Sequence, residues 1–201
     1  MTIAIEGLEP APRDLNAHLW ARHPDDWYVE PSFVSQRLFA TEDFRGTIWD
    51  PACGLGRIVQ SVRADGLMAV GTDLVRRGQL SDTVCSEEID FLACDRLSQN
   101  IVSNPPYGIA QEFAVHALRS ALNKVALLLP SKWLYGDKRS RWLETTPLRK
   151  VLALTPRPSM PPGPVIEAGI APGGGKEDYA WFIWEIGYEG RPELGWLRRD
   201  P

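Results

Sequence analysis

The chain has 201 residues, of which 44% are hydrophobic, and it carries a formal net charge of −4 at pH 7. This length fits one domain with one sizeable core. The acidic balance disfavours a histone-like protein that coats nucleic acid through many phosphate contacts, although a local basic face remains compatible with it.

Sequence features also bear on the compartment of the protein. The N-terminal segment carries acids and prolines in place of a basic start and an apolar run, so we expect no secretory signal. No stretch approaches the length of a membrane span. The three cysteines, Cys53, Cys85 and Cys94, have no CxxC spacing and no paired histidine. We therefore expect a cytoplasmic protein with neither a metal site nor disulfides.

Predicted strands and helices alternate along the chain. Residues 1–25 are polar and predict an N-terminal arm, whereas 26–201 predict a single domain, and a proline- and glycine-rich loop spans 157–177. Predicted helices cover 31–39, 57–64 and 109–122, and predicted strands cover 46–50, 67–74, 83–85, 100–103, 125–129, 150–154 and 180–186. This alternation indicates an α/β protein with helices on both faces of a mostly parallel, doubly wound sheet.

A glycine-rich turn joins the first predicted strand to the helix at 57–64. It reads Asp50-Pro-Ala52-Cys53-Gly54-Leu-Gly56, and glycines there let the backbone approach a ligand closely. Position 59 is Val where a dinucleotide fingerprint has its third glycine, which disfavours a pyrophosphate cofactor. The acid at the strand end suits a ligand with an ammonium group. The alternative is that Asp50 only caps the turn.

Acids also follow the next two predicted strands. Asp73 ends the second strand, where a carboxylate can accept from both ribose hydroxyls. Asp90 follows the third, where a carboxylate can accept from an adenine amino group. Either acid could instead be a solvated turn residue, but acids in successive strand-end turns favour a nucleoside site.

The most specific motif is Asn104-Pro105-Pro106-Tyr107, directly after a predicted strand. Two prolines remove backbone donors and leave carbonyl acceptors, and the Asn104 side-chain oxygen adds another. Together, the Asn104 oxygen and the Pro105 carbonyl can accept both hydrogens of an exocyclic amino group. The ring of Tyr107 offers a stacking face for a planar acceptor, or is simply a half-buried core aromatic.

Read in order, these motifs resemble those of S-adenosylmethionine-dependent amino-methyltransferases, especially the adenine-N6 type in which the cofactor motif precedes the catalytic one. The resemblance covers roughly residues 26–187 and includes Trp27–Pro31, which is similar to the family's segment beside the methionine end of the cofactor. It implies a Rossmann-like sheet of seven strands with one antiparallel strand, and S-adenosylmethionine as cofactor. The implied catalytic residues are Asn104, Pro105, Pro106 and Tyr107. The implied cofactor-binding residues are Tyr28, Pro31, Asp50, Ala52, Cys53, Gly54, Gly56, Asp73, Leu74, Asp90, Phe91 and Asn104.

Basic and aromatic residues cluster between positions 132 and 150, after the apolar strand 125–129. Such a mixture suits phosphate contact combined with base stacking, although it also describes a solvated helix face over core aromatics. The predicted substrate-binding residues are Tyr107, Lys132, Trp133, Lys138, Arg139 and Arg141.

The leading hypothesis is methylation of adenine N6 in nucleic acid, with DNA favoured over RNA by the resemblance. Alternatives are an RNA-base or protein-glutamine methyltransferase and, from another class, a non-catalytic cofactor-binding subunit of a larger complex. No segment resembling the family's target-recognition domain is evident. Recognition is therefore expected to be minimal, to come from loops, or to depend on a partner or a second copy of the chain.

Overall fold

The computed structural model describes residues 23–77 and 85–199. The helices are α1 (Ser32–Thr41), α2 (Arg57–Ala64), α3 (Ala110–Ser120), α4 (Asp137–Glu144) and α5 (Gly163–Glu167). The strands are β1 (Ile48–Asp50), β2 (Ala69–Asp73), β3 (Cys85–Glu88), β4 (Ser98–Ser103), β5 (Ala121–Pro130), β6 (Leu148–Thr155), β7 (Tyr179–Glu185) and β8 (Glu193–Arg198). Most of the predicted arm, and positions 83 and 84 of the predicted third strand, lie outside the described residues.

All eight strands form one sheet in the order β3-β2-β1-β4-β5-β7-β6-β8. Every strand except β7 runs in the same direction, and β7 is inserted antiparallel between β5 and β6. The predicted doubly wound, mostly parallel sheet with one antiparallel strand is therefore confirmed. The predicted strand count of seven is one too low, because β8 adds an edge strand beside β6. Its sequence, ELGWLR, mixes charges, glycine and exposed apolar residues, so it lacks the clear alternation of a half-buried strand.

Helices cover both faces of the sheet and enclose two separate cores. Helices α1 and α2 pack Val34, Leu38 and Ile58 on one face, together with Ala126 and Leu128 of β5. On the other face, α3 and α4 pack against the alternating side chains Val125, Leu127 and Leu129. Because both faces of β5 are buried over residues 125–129, this half of the strand is a continuous apolar run rather than an alternating one.

The parallel strands β1, β2 and β4 end at the same edge of the sheet, which places the turns that follow them side by side. The loop after β1 turns through Gly54 and Gly56, both with positive φ, and leads directly into α2. Ligands of open α/β sheets bind at this carboxyl edge. No helix within the described ranges is long and apolar enough to cross a membrane.

Candidate active site

A buried carboxylate stands at the end of β1. Asp50 is 2% exposed, and its Oδ1 accepts hydrogen bonds from Ser103 Oγ at 2.7 Å and from the Ala52 backbone N–H at 3.3 Å. Burial strips water from the carboxylate and raises its pKa well above the ordinary 3.8. The nearby Glu30 adds to this rise, because two carboxylates in one region repel each other when both are ionised.

Hydrogen bonds connect the turn after β1 to the acid at the end of β2. The Gly54 backbone N–H donates to Asp73 Oδ2 at 2.8 Å, and the Val75 N–H donates to Asp73 Oδ1 at 3.2 Å. Burial raises the pKa of Asp73, while these two donors and the neighbouring Arg77 oppose that rise. The glycine-rich turn is therefore held at a fixed place relative to a buried carboxylate.

Residues 25–30 lie across this turn, and Trp27 is the centre of the contact. The Trp27 indole sits so close to Gly54 that a Cβ added there would lie 3.0 Å from its Nε1, and a Cβ on Gly163 would collide with the ring. The guanidinium of Arg77 covers the ring, 4.7 Å from its centroid. The buried Trp27 Nε1 has no hydrogen-bond partner among the described residues.

These elements enclose a first cavity of about 50 Å³ at the carboxyl edge. It is narrow because Trp27 and its neighbours fill most of the space above the glycine-rich turn. Seven of the predicted cofactor-binding residues line it: Tyr28, Asp50, Ala52, Cys53, Gly54, Asp73 and Asn104. Several further residues line the cavity without an individual role predicted from a motif: Trp27, Glu30, Arg57 and Arg77.

The structure does not bring the other five predicted cofactor residues into the lining of this cavity. The Asp90 carboxylate is exposed and caps the short helical turn 91–93 through the Leu92 N–H, and the Phe91 ring is buried in the core beside Trp49 and Phe113. The side chain of Leu74 is 65% exposed. The remaining two residues shape the backbone at helix starts. Pro31 immediately precedes α1, and Gly56, with φ +75°, immediately precedes α2.

Asn104 is held by three hydrogen bonds, one of which links it to Tyr107. Its Nδ2 donates to the Tyr28 carbonyl and to Glu30 Oε2, both at 2.9 Å. Its Oδ1 accepts from the Tyr107 hydroxyl at 2.8 Å. Pro105 between them is buried, and Pro106 lines the first cavity.

A second cavity of about 400 Å³ opens beside Tyr107. The Tyr28 and Tyr107 rings are nearly parallel, with their centroids 6.0 Å apart, and Tyr179 lies 5.8 Å from Tyr107 on another side. The loop 157–177 supplies most of the remaining wall, through Pro158, Ser159, Met160, Pro162, Pro172, Gly174, Gly175, Lys176 and Glu177. Asp26 and Tyr28 line both cavities, so the two spaces adjoin there.

Burial also raises the pKa of two tyrosines in this wall. The pKa of Tyr107 lies well above 10.0 and that of Tyr179 is raised as well, chiefly because burial destabilises the phenolate. Both hydroxyls therefore keep their protons at neutral pH, and that of Tyr107 donates to Asn104. Tyr179 belongs to no motif and was not predicted as a site residue, because it lies in β7, far along the chain from Tyr107.

Some of the basic residues predicted to bind substrate lie near the second cavity. Lys132 lines it and pairs with Glu177 at 3.0 Å. Lys138 is exposed at the start of α4, and Arg141 pairs with Asp137 at 3.1 Å on the same exposed helix. Of the six predicted substrate residues, only Tyr107 and Lys132 line the cavity itself.

The aromatic residues interleaved with them have mostly structural positions. Trp133 is 5% exposed and packs in the core, so the structure does not bring its ring into the lining of the second cavity. Arg139 lies over the Trp133 ring at 4.8 Å and also donates to its carbonyl. Trp142 is packed against the same core, whereas Tyr135 is 80% exposed.

The basic cluster of the sequence is also split between opposite edges of the sheet. Arg149 and Lys150 lie at the start of β6, where they pair with Glu185 at 3.4 Å and Glu42 at 2.6 Å. The start of a parallel strand lies at the edge opposite its end. These two cations therefore do not face the cavities. Within residues 23–77 and 85–199, no group of three His, Cys, Asp or Glu side chains could hold a metal ion.

Comparison of the sequence with protein-family models and with characterised proteins finds no match. Solved structures do match the fold. The M protein of the type I restriction enzyme EcoKI has 14% identity and a TM-score of 0.58, over 88% of this chain and 49% of that one. The type I restriction-modification methyltransferase subunit from Streptococcus thermophilus has 14% identity and a TM-score of 0.56, over 83% of this chain and 47% of that one.

A shorter enzyme matches over most of its own length. Magnesium protoporphyrin IX methyltransferase from Synechocystis PCC 6803, with bound SAM, has 12% identity and a TM-score of 0.51, over 76% of each chain. The present chain spans about half the length of the two type I subunits. What these proteins share with it is the arrangement of strands and helices. The chain therefore has the α/β fold of S-adenosylmethionine-dependent methyltransferases.

Proposed function

We propose that the protein transfers a methyl group from S-adenosylmethionine to an exocyclic amino group of a planar substrate. The observation that carries this proposal is the place of the Asn104-to-Tyr107 motif between two adjoining cavities. Asn104 and Pro106 line the first cavity, whereas Tyr107 lines the second. A methyl donor in one space and an amine in the other would meet at Asn104.

The residues around the first cavity fit the parts of this cofactor. The Asp50 carboxylate suits a methionine ammonium group, and Asp73 suits ribose hydroxyls. The partnerless Trp27 Nε1 offers a donor to a ligand oxygen. The cofactor would lie against the glycine-rich turn, where Trp27 packs on Gly54.

Catalysis by this chain consists of orienting the amine and stabilising charge on it. The cofactor, held beside Asp50 and Asp73, would supply an electrophilic sulfonium methyl group and leave as a neutral thioether. Asn104 Oδ1 has a second lone pair beside the one that Tyr107 occupies, and it can accept a hydrogen from the amine. That hydrogen bond directs the nitrogen lone pair at the methyl group and stabilises the positive charge that develops on nitrogen. The methylated nitrogen then loses one proton to solvent.

Adenine N6 in DNA is the substrate we favour. The second cavity has tyrosine walls and about 400 Å³ of space, which suits one base turned out of a duplex. Tyr135 and Lys138, which follow the lining residue Lys132 along the chain, are exposed and suit stacking and phosphate contact. Two of the proteins that share the fold are type I restriction subunits, which supports DNA over RNA. Sequence selection would come from the 157–177 loop, a second copy, or a recognition partner.

Transfer of tritium from labelled S-adenosylmethionine to duplex DNA, single-stranded DNA, RNA and a protein extract tests the proposal. We expect label in DNA adenine, recovered as N6-methyladenine after digestion. Asn104→Ala should abolish transfer and change cofactor affinity by less than about threefold. Asn123→Ala, an exposed amide in the first half of β5, is the matched control and should keep full activity.

Label in protein alone would contradict the nucleic-acid substrate. Cofactor binding without transfer to any of the substrates would favour a non-catalytic subunit. Retained activity of Asn104→Ala would contradict the catalytic role of the motif.

A further inference from the structure

Glu30 is a buried acid whose side chain contacts Asn104 directly. It lies just before α1, is 6% exposed, and its Oε2 is 2.9 Å from Asn104 Nδ2. Burying a carboxylate costs free energy unless it is compensated by partners. The Arg57 side chain donates to the Glu30 carbonyl at 2.8 Å and so brings a positive charge close to this acid.

The surroundings of Asn104 allow only one orientation of its amide. Two acceptors, Glu30 Oε2 and the Tyr28 carbonyl, face one end, and one donor, the Tyr107 hydroxyl, faces the other. A flipped amide would set its oxygen against both acceptors and its NH2 group against the hydroxyl proton. Glu30 therefore fixes Oδ1 on the side of Tyr107 and the second cavity.

We propose that Glu30 is a positioning residue that orients and polarises the Asn104 amide for methyl transfer. The inference rests on the proposed function and adds to it a residue outside the Asn104-to-Tyr107 motif. A carboxylate that accepts from Nδ2 draws positive charge to that end of the amide and leaves Oδ1 more negative. Because positive charge develops on the attacking amine, a more negative Oδ1 stabilises the transition state more than the ground state.

The charged form of Glu30 depends on pH. Burial raises its pKa above the ordinary 4.5, while the hydrogen bond from Asn104 and the charge of Arg57 oppose the rise. Asp50 and Tyr107 are the other titratable groups that interact with it. The acid limb of kcat against pH should therefore include the titration of Glu30.

Glu30→Gln distinguishes the proposed positioning role from a purely structural role of the side chain. Glutamine keeps the size and one acceptor but removes the charge. We expect kcat to fall about tenfold, because a charge-assisted hydrogen bond becomes a neutral one, with the KM for DNA and the Kd for S-adenosylmethionine changed by less than about threefold. The acid limb of the kcat profile should move or disappear. The control is Glu42→Gln, a buried acid paired with Lys150 at the opposite edge, which should keep kcat and its pH profile.

A second variant pair tests the contact itself. Asn104→Asp places two carboxylates face to face, so they must share a proton, and kcat should fall at least about a hundredfold. In E30Q/N104D, the amide introduced at position 30 donates to the carboxylate introduced at position 104. The Tyr28 carbonyl stays without its donor, so the recovery of activity should be partial. We expect the double variant to be at least about tenfold more active than N104D alone.

Several results would overturn the inference. One is an unchanged kcat in Glu30→Gln. Another is a higher Kd for S-adenosylmethionine at unchanged kcat, which would make Glu30 a cofactor ligand. A third is a double variant no more active than N104D. If the proposed function is wrong, the result is different: the wild-type protein transfers no methyl group to any of the substrates. The role of Glu30 would then be contradicted as well.

Discussion

The Tyr107 hydroxyl donates a hydrogen bond to Asn104 Oδ1 across 2.8 Å, so the aromatic residue of the motif contacts the acceptor atom that the amine substrate needs. Only one of the two lone pairs on this oxygen is engaged. The hydroxyl and an amine can therefore share it, or the amine can replace the hydroxyl. In both cases we expect the ring of Tyr107, rather than its hydroxyl, to hold a planar substrate.

Substitutions at Tyr107 should separate the ring from the hydroxyl. Tyr107→Phe keeps the stacking face, so kcat/KM for DNA should change by less than about threefold. Tyr107→Ala removes the face, and a loss of about 1–3 kcal/mol should lower kcat/KM by roughly 5- to 150-fold. Steady-state methylation of a DNA substrate measures both. Equal losses in the two variants would show that the hydroxyl carries the role.

Gly54 should be required for cofactor binding rather than for folding. It has φ +49°, and an added Cβ would lie 3.0 Å from Trp27 Nε1, inside the space proposed for the cofactor. Gly66→Ala is the matched control, with φ +76° and open space around the site. Both variants should lose about 1–2 kcal/mol of stability from left-handed backbone strain. Only Gly54→Ala should raise the Kd for S-adenosylmethionine, by at least about tenfold, in titration calorimetry.

Asp50 should make the stability of the ligand-free protein fall as pH rises. Its pKa in the folded protein lies well above the ordinary 3.8 because burial disfavours the charge. From 3.8 upward, the unfolded chain releases a proton that the folded chain retains, so stability is lost until pH passes the folded pKa. The slope is at most about 1.4 kcal/mol per pH unit for one group.

Asp50→Asn should remove this contribution while weakening cofactor binding. Urea unfolding at about pH 5 and about pH 8 should show a smaller loss of stability in the variant than in the wild type. Asp73 and Glu30 also have raised pKa values and should leave part of the slope in place. Identical pH dependence in the two proteins would contradict the assignment of the raised pKa to Asp50.

Charge reversal at the carboxyl edge should weaken binding to nucleic acid. Lys138→Glu combined with Arg141→Glu replaces two exposed cations without touching Arg139, which packs over Trp133. Affinity for duplex DNA should fall, and the slope of log affinity against log salt should drop by up to about 2. Arg45→Glu is the control, because Arg45 is 89% exposed near the opposite edge. Equal effects of both changes would argue against this surface.

Local sequence patterns predicted the order of most strands and helices and the strand ends that carry two of the buried acids. Asp50 and Asp73 could be assigned to strand ends because an apolar run precedes each of them, and parallel strands end at a common edge. The helix 57–64 was predicted with its observed bounds, because the glycine-rich turn marks its start. Strand ends and helix bounds of this kind follow from local sequence patterns. They can be predicted without knowing which distant residues pack against them.

Which of these side chains are close to one another in space depends on the tertiary structure. Trp133 and Arg149 lie close in sequence to Lys132, yet one is buried in the core and the other lies at the far edge. The Glu30–Asn104 contact joins residues 74 positions apart, and Trp27 meets Gly54 and Gly163 from three separate segments. No local sequence pattern encodes these tertiary contacts. They depend on how the sheet twists and on how the loops at its carboxyl edge pack against one another.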